Sequence, residues 1–176
     1  MTRFLRIGAS GTIALEDDWL DPRREGANFT FPAVVFTGRR MLAVTWERAG
    51  TGFSEDSRIR ITSGNFDGTD VRELDVPAPY AQGGNVSSYG DRVAIRSFAA
   101  MSGVSPVGRR TDLIVLDAFG VPEAEHRDVD LPYTRVAHWI ARPDAIRFWN
   151  TPTSSATERY VLSWTGERTE GPTLFE

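Results

Sequence analysis

Thr37-Gly38-Arg39-Arg40-Met41-Leu42-Ala43-Val44 decides the reading of the fold, because it returns further along the chain. It comes back as Tyr89-Gly90-Asp91-Arg92-Val93-Ala94-Ile95. A weaker copy is Arg142-Pro143-Asp144-Ala145-Ile146-Arg147-Phe148, and the copies recur at 52 to 53 residues. In each, a turn of Gly, Pro or Asp leads into a short alternating run, as at a hairpin. Recurrence at about fifty residues marks an array of like units.

Outward from these hairpins the pattern stays β. Ile59 and Ile61 share one face of Arg58-Ile59-Arg60-Ile61-Thr62, and Leu42, Val44 and Trp46 share a face of 41–46. Leu113-Ile114-Val115-Leu116 is a continuous apolar run, expected of a strand covered on both sides. Tyr160-Val161-Leu162-Ser163-Trp164 reads as another strand. Glu73-Leu74-Asp75-Val76-Pro77 is echoed 55 residues on by Asp128-Val129-Asp130-Leu131-Pro132. Leu5-Arg6-Ile7-Gly8-Ala9-Ser10-Gly11 resembles Arg58-Ile59-Arg60-Ile61-Thr62-Ser63-Gly64. The only helical candidate is a short one near 17–24, limited by Pro22.

Each full unit therefore reads as four strands. They are expected at roughly 29–36, 40–48, 57–62 and 71–76, then 85–89, 92–98, 111–116 and 127–131, then 134–140, 145–150, 159–164 and 173–175. Four antiparallel strands in about fifty residues is the size of a propeller blade. The expected fold is all-β, with antiparallel four-stranded blades of a β-propeller type, about three per chain. A β-sandwich or jelly roll is the alternative. The chain is read as one domain, 1–176, with units 27–80, 81–133 and 134–176 and a partial copy at 3–20.

Composition bounds the chemistry. The chain has no cysteine, which removes disulfides, thiolate metal sites and cysteine nucleophiles. All 20 basic residues are arginine, as a GC-rich coding sequence would favour, and they are spread along the chain. A net charge of −4 without a basic cluster argues against nucleic acid as partner. The start shows no apolar signal-peptide core, since Arg6 interrupts it, and no run is long enough for a membrane helix. Synthesis in the cytoplasm without a signal peptide, and no membrane insertion, are the expectations.

The units resemble the blades of the sialidase-like, Asp-box β-propeller family. Phe29-Thr30-Phe31-Pro32-Ala33-Val34-Val35 is similar to that family's first strand. Gly38-Arg39-Arg40-Met41-Leu42-Ala43-Val44 is similar to its second-strand hairpin. Ser63-Gly64-Asn65-Phe66-Asp67-Gly68-Thr69-Asp70 resembles its Asp-box turn. The resemblance implies a propeller fold and a glycan-facing or purely structural role. Thr30 stands where the family's first substrate arginine would be, and Val71 lies near the place of the Asp-box tryptophan. The family's further arginines and its tyrosine–glutamate pair are not identifiable, so no catalytic residue is carried over.

Candidate sites follow from residue type. Trp46, Arg48, Arg96, Phe98, Arg147 and Trp149 fall at similar places near the ends of the three second strands. Aromatic faces beside arginines can hold sugar rings and anionic groups, so these six form the candidate glycan site. The competing reading packs the aromatics between sheets with arginine stems over them. Asp17, Asp18, Glu47, Asp67 and Asp91 are available as paired carboxylates for glycoside hydrolysis, although turn aspartates normally cap their own loops. Asn65, Asp67 and Asp70 do not match a calcium loop, and His126 and His138 lack metal-ligand spacing, so no metal or cofactor is expected. Ser10 lies in no nucleophile elbow.

Three blades do not readily close a ring, since propellers use four to eight. Exposed edges and faces then need partners, from two chains completing one ring or from docking into a larger assembly. The expected function is a non-enzymatic structural or recognition module that assembles with itself or other chains. A phage or phage-like virion component is the expected setting, as tail, fibre or capsid decoration contacting host glycans. The alternatives are a sialidase-like glycoside hydrolase with a site completed by oligomerisation, and a bacterial propeller scaffold.

Overall fold

Strands are the regular elements of the computed structural model, which describes residues 4–7, 13–17, 28–29, 33–48, 54–101, 108–131, 137–153 and 156–175. Among these residues there is no helix. Strands β1 (Phe4–Ile7) and β2 (Ile13–Asp17) form an antiparallel pair. The first full sheet follows. Strands β3 (Asn28–Phe29) and β4 (Ala33–Phe36) pair along the same edge of β5 (Met41–Arg48), and β6 (Arg58–Gly64) and β7 (Arg72–Pro77) continue the meander. The second sheet is β8 (Ala81–Tyr89), β9 (Arg92–Met101), β10 (Gly108–Leu116) and β11 (Pro122–His126). The third is β12 (Ala137–Ala141), β13 (Ile146–Thr153), β14 (Ala156–Leu162) and β15 (Arg168–Phe175). All neighbours within a sheet are antiparallel, and the three sheets are not closed on one another.

One turn is used three times between the third and fourth strands. In each, a polar residue closes a five-residue loop around a glycine in the left-handed region: Gly68 (φ 84°), Gly120 (φ 86°) and Gly166 (φ 81°). Asn65 N donates to Thr69 O at 2.9 Å, Asp117 N to Val121 O at 2.9 Å and Ser163 N to Glu167 O at 2.8 Å. The side chains of Asp67, Asp117 and Ser163 accept further amides of the same loops. This is the geometry of a hairpin loop that ends in a left-handed residue, where a glycine carries no steric penalty.

The sheets stack through their first strands: β8 lies against β4 on one side and β12 on the other. Ser88 Oγ donates to Phe36 O at 2.7 Å, Gly38 N to Gly90 O at 3.1 Å, and Ala141 N to Ser87 Oγ at 2.9 Å. Side-by-side first strands with the fourth strands outermost give a propeller-like arrangement.

Two cores fill the gaps between sheets. Leu42, Val44, Trp46, Ile59, Ile61 and Val76 of the first sheet meet Val93, Ile95, Ile114 and Leu116 of the second. Ala94, Leu113 and Val115, on the second sheet's opposite face, meet Trp139, Ile146, Phe148, Tyr160 and Leu162 of the third. The alternating faces of 113–116 thus enter different cores, which is why that run is apolar throughout.

The structure corrects several boundaries. The fourth strand of the second sheet is Pro122–His126, not 127–131. Arg127 and Asp128 break the ladder, with Asp128 at φ 54°, and Val129 N then donates to Thr111 O at 2.8 Å. The 55-residue echo therefore does not mark equivalent strand positions. The third sheet's last strand begins at Arg168 rather than 173, and β8 begins at Ala81 rather than 85. The helix expected near 17–24 meets a strand that ends at Asp17, and 18–24 lie outside the described residues.

Candidate functional site

Alternation in β6 puts Ile59 and Ile61 into the first core and turns Arg58 and Arg60 to the other face of the sheet. The register then sets Glu47 opposite Arg58 and Asp75 opposite Arg60. Arg60, 1% exposed, reaches Asp75 with Nε to Oδ1 at 2.9 Å and Nη2 to Oδ2 at 3.1 Å, and reaches Glu47 Oε1 with Nη1 at 2.9 Å. Arg58 Nε donates to the second Glu47 oxygen at 2.8 Å. The forked hydrogen bond that Arg60 donates to Asp75 holds its guanidinium still more firmly protonated, against the opposing pull of burial and with Glu47 adding attraction. Glu47, 3% exposed, is thus fixed between two guanidinium groups.

A second network ties the first two sheets together. Asp112 is buried on β10 and takes Arg110 Nε at 2.9 Å, Arg127 Nη1 at 3.0 Å and the Asp128 amide at 3.0 Å. Arg127 also donates to Pro77 O at 3.0 Å, across to the end of β7. A third centres on buried Arg40, which donates to Ser63 O and to both the carbonyl and the carboxylate of Asp70, at 2.6 Å to the latter. Arg40, with Arg72, holds the Asp70 carboxyl below its usual range.

The six residues of the candidate glycan site separate by sheet. Trp46 is buried in the first core, its Nε1 donating to Ser97 Oγ at 3.3 Å. Gly84 makes room for it: a Cβ there would lie 2.5 Å from Trp46 Cζ2. Arg96 is fully buried, its Nη1 on Asn85 Oδ1 at 2.9 Å and its guanidinium 4.9 Å from the Phe148 ring centre and 5.5 Å from that of Phe98. Phe98 is buried with it. Arg48 closes β5, paired with Asn28, and its side chain lies outside the described residues. Arg147 and Trp149 stand on the face of β13 turned away from the second core, half-buried. Trp149 lies between His138 and Arg159 in register, and Arg147 between Ile140 and Val161. The structure therefore brings Arg96 and Phe98 together, gathers Arg147 with Trp149 elsewhere, and keeps Trp46 in the other core.

The remaining candidates sit in local structure. Asp67 Oδ1 accepts the Thr69 amide at 3.0 Å and hydroxyl at 2.6 Å, capping its own turn. Asp91 faces Arg39 at 3.3 Å on the surface. Asp17 ends β2, and Asp18 and Ser10 lie outside the described residues. Among the described residues no three His, Asp or Glu side chains converge on a metal position. A pocket of about 170 Å³ between the first sheet and the second sheet's turn is walled by Ile61, Leu74, Phe119 and Val121, with Arg72 and Glu73 at its rim. That is smaller than the usual small-molecule cleft.

No protein-family model matches this chain, and no curated protein matches it either.

Proposed function

We propose that this chain is a non-enzymatic assembly module that takes a partner on the outer face of its third sheet. One comparison carries the reading. Leu42 and Val44 in the first sheet, Ala94 and Arg96 in the second, and Arg147 and Trp149 in the third occupy equivalent hairpin positions. The first two pairs are 0% exposed under the following sheet, whereas Arg147 and Trp149 are not covered in this way. Beside them Ile140 is 38% exposed and His138 is exposed. An apolar and aromatic sheet face left partly exposed is a usual mark of an interaction surface. The carboxylates favour the same reading, because Glu47 is held by two arginines and Asp67 by its own turn. A particle built of many copies, such as a virion, is the setting proposed for such a module.

A photo-crosslinker placed at position 140 in the producing cell should form a specific protein adduct. A crosslinker at exposed Tyr89 should not. Absence of any adduct from 140 would remove the reading. So would hydrolysis of a fluorogenic sialoside or other glycoside by the pure chain, abolished by Glu47→Gln or Asp67→Asn.

A further inference from the structure

The first sheet's far face is already covered within the chain. Ala43, Thr45, Glu47, Arg60 and Thr62 on that face are all buried. The third sheet's outer face is instead partly exposed, with His138 and Ile140 exposed and Arg147 and Trp149 half-buried. A ring of two chains would need both faces bare. A single open patch instead closes by meeting itself, in a twofold contact.

We propose that this face pairs with the same face of a second copy of the chain, with Arg147 of each copy stacked over Trp149 of the other. The inference rests on the reading above, that the face takes a partner, and names that partner.

The chemistry is self-complementary. No hydrogen bond or ion pair joins Arg147 to another described residue, while Arg159 beside it is neutralised by Glu170 at 3.1 Å. Arg147 and Trp149 stand two residues apart on one face of β13, so a twofold operation can set each cation on the other copy's indole. The molecule already joins its second and third sheets this way. Arg96 lies over Phe148 at 4.9 Å and Arg92 over Trp164 at 5.3 Å. Arginine over tryptophan is the favoured form of this contact, and it tolerates partial exposure. Ile140 flanks Arg147 across the strand and, at 38% exposed, supplies the apolar remainder.

Size sets the expected strength. Four strands about 4.8 Å apart and seven residues at about 3.3 Å each make a face of about 19 by 23 Å. Such a patch buries roughly 900 Å² over both partners, below the range of stable interfaces and within that of weak, transient ones, so association no tighter than micromolar is expected.

Sedimentation of the pure full-length chain across the micromolar range should show a monomer–dimer equilibrium. Arg147→Ala and Trp149→Ala should each weaken it by about tenfold to a hundredfold, since either change removes both symmetric stacks. An equimolar mixture of the two variants should associate more tightly than either alone, because the mixed dimer regains one complete stack. Unchanged far-ultraviolet circular dichroism shows that the variants remain folded. A chain that stays monomeric, a dimer indifferent to both substitutions, or a mixture no tighter than its parents would each overturn the inference. Glycan-array binding by a monomer, lost in Trp149→Ala, would overturn it too. A monomeric chain that still gives an adduct from position 140 overturns only the twofold pairing, whereas loss of the adduct as well removes the partner reading itself.

Discussion

At the residue scale, close approach decides more than charge count. Gly84 sits where the Trp46 indole crosses β8, and any Cβ would also press on the Arg96 carbonyl. Neither obstacle is the free end of a flexible chain. Gly84→Ala should therefore lower stability by roughly 2–3 kcal/mol, the cost of overpacking a filled core. Denaturant unfolding would measure it, and a change below about 0.5 kcal/mol, the usual surface value, would show that the indole moves freely aside. Tyr160 gives a pH signature in the second core. Burial first, then its hydrogen bond to Glu158 Oε2 at 2.7 Å, pushes the phenol up to about 12. Its folded value lies above the unfolded one, so the folded state binds the extra proton. Stability from this group is intact below pH 10 and is lost as pH rises from 10 toward about 12. The tyrosinate absorbance titration of the folded chain minus that of Tyr160→Phe should show one phenol ionising near 12. A difference titrating near 10 would contradict the burial argument.

At the element scale, the turns between third and fourth strands are the most transferable unit of the fold. Gly120 combines φ 86° with close packing, since a Cβ there would lie 3.1 Å from Ile61 Cγ2 and 3.2 Å from Leu42 Cδ2. Gly120→Ala should cost about 1–3 kcal/mol, from left-handed strain with crowding added. Gly90→Ala, at φ 57° with open space around it, is the control that carries strain alone and should cost less. Equal losses in thermal unfolding would mean that the contact with the first sheet contributes nothing. These elements also show what the sequence could tell. Hairpins such as 37–44 and 89–95 were legible because glycine turns and alternation are local properties. Strand β11 was not, because Pro122-Glu123-Ala124-Glu125-His126 carries no β-branched residue and is strand only through pairing with β10. The echo at 128–132 misled for a related reason, since the break at Asp128 shifts the spacing without changing the composition. In the candidate site, residue type identified Trp46, Arg96 and Trp149 as a set, but burial depends on whether a sheet follows. Hence the hairpin position held by Val44, Arg96 and Trp149 is fully covered twice and half-buried once. The Glu47–Arg58–Arg60–Asp75 cluster needed the register of three strands to be seen at all.

At the scale of the whole molecule, three stacked sheets cannot be equally stable. Among the described residues, each outer sheet shares an apolar core with the second, as in a one-dimensional array of repeats. The second sheet holds both cores together, through Val93, Ile95, Ile114 and Leu116 on one face and Ala94, Leu113 and Val115 on the other. Fully burying a large apolar side chain contributes about 1.5–3 kcal/mol, so opening the second sheet forfeits two such interfaces at once. Opening the third forfeits one and leaves the first core intact. Amides of β9 and β10 should therefore exchange only through global unfolding, while those of β13 and β14 exchange through a cheaper opening of their own. Native-state hydrogen exchange with rising denaturant reads this directly: two isotherms that merge near the unfolding midpoint are expected. Arg96→Ala should widen the gap, because Arg96 lies over Phe148 and its loss weakens the junction with the third sheet while leaving the first core untouched. A single isotherm shared by all three sheets, or lower protection in β9 and β10 than in β13, would show that the cores do not act as separate interfaces. The same experiment at concentrations that favour self-association should raise the protection of β13 and β14 selectively, since a partner on the third sheet supplies the interface that the end of the array lacks.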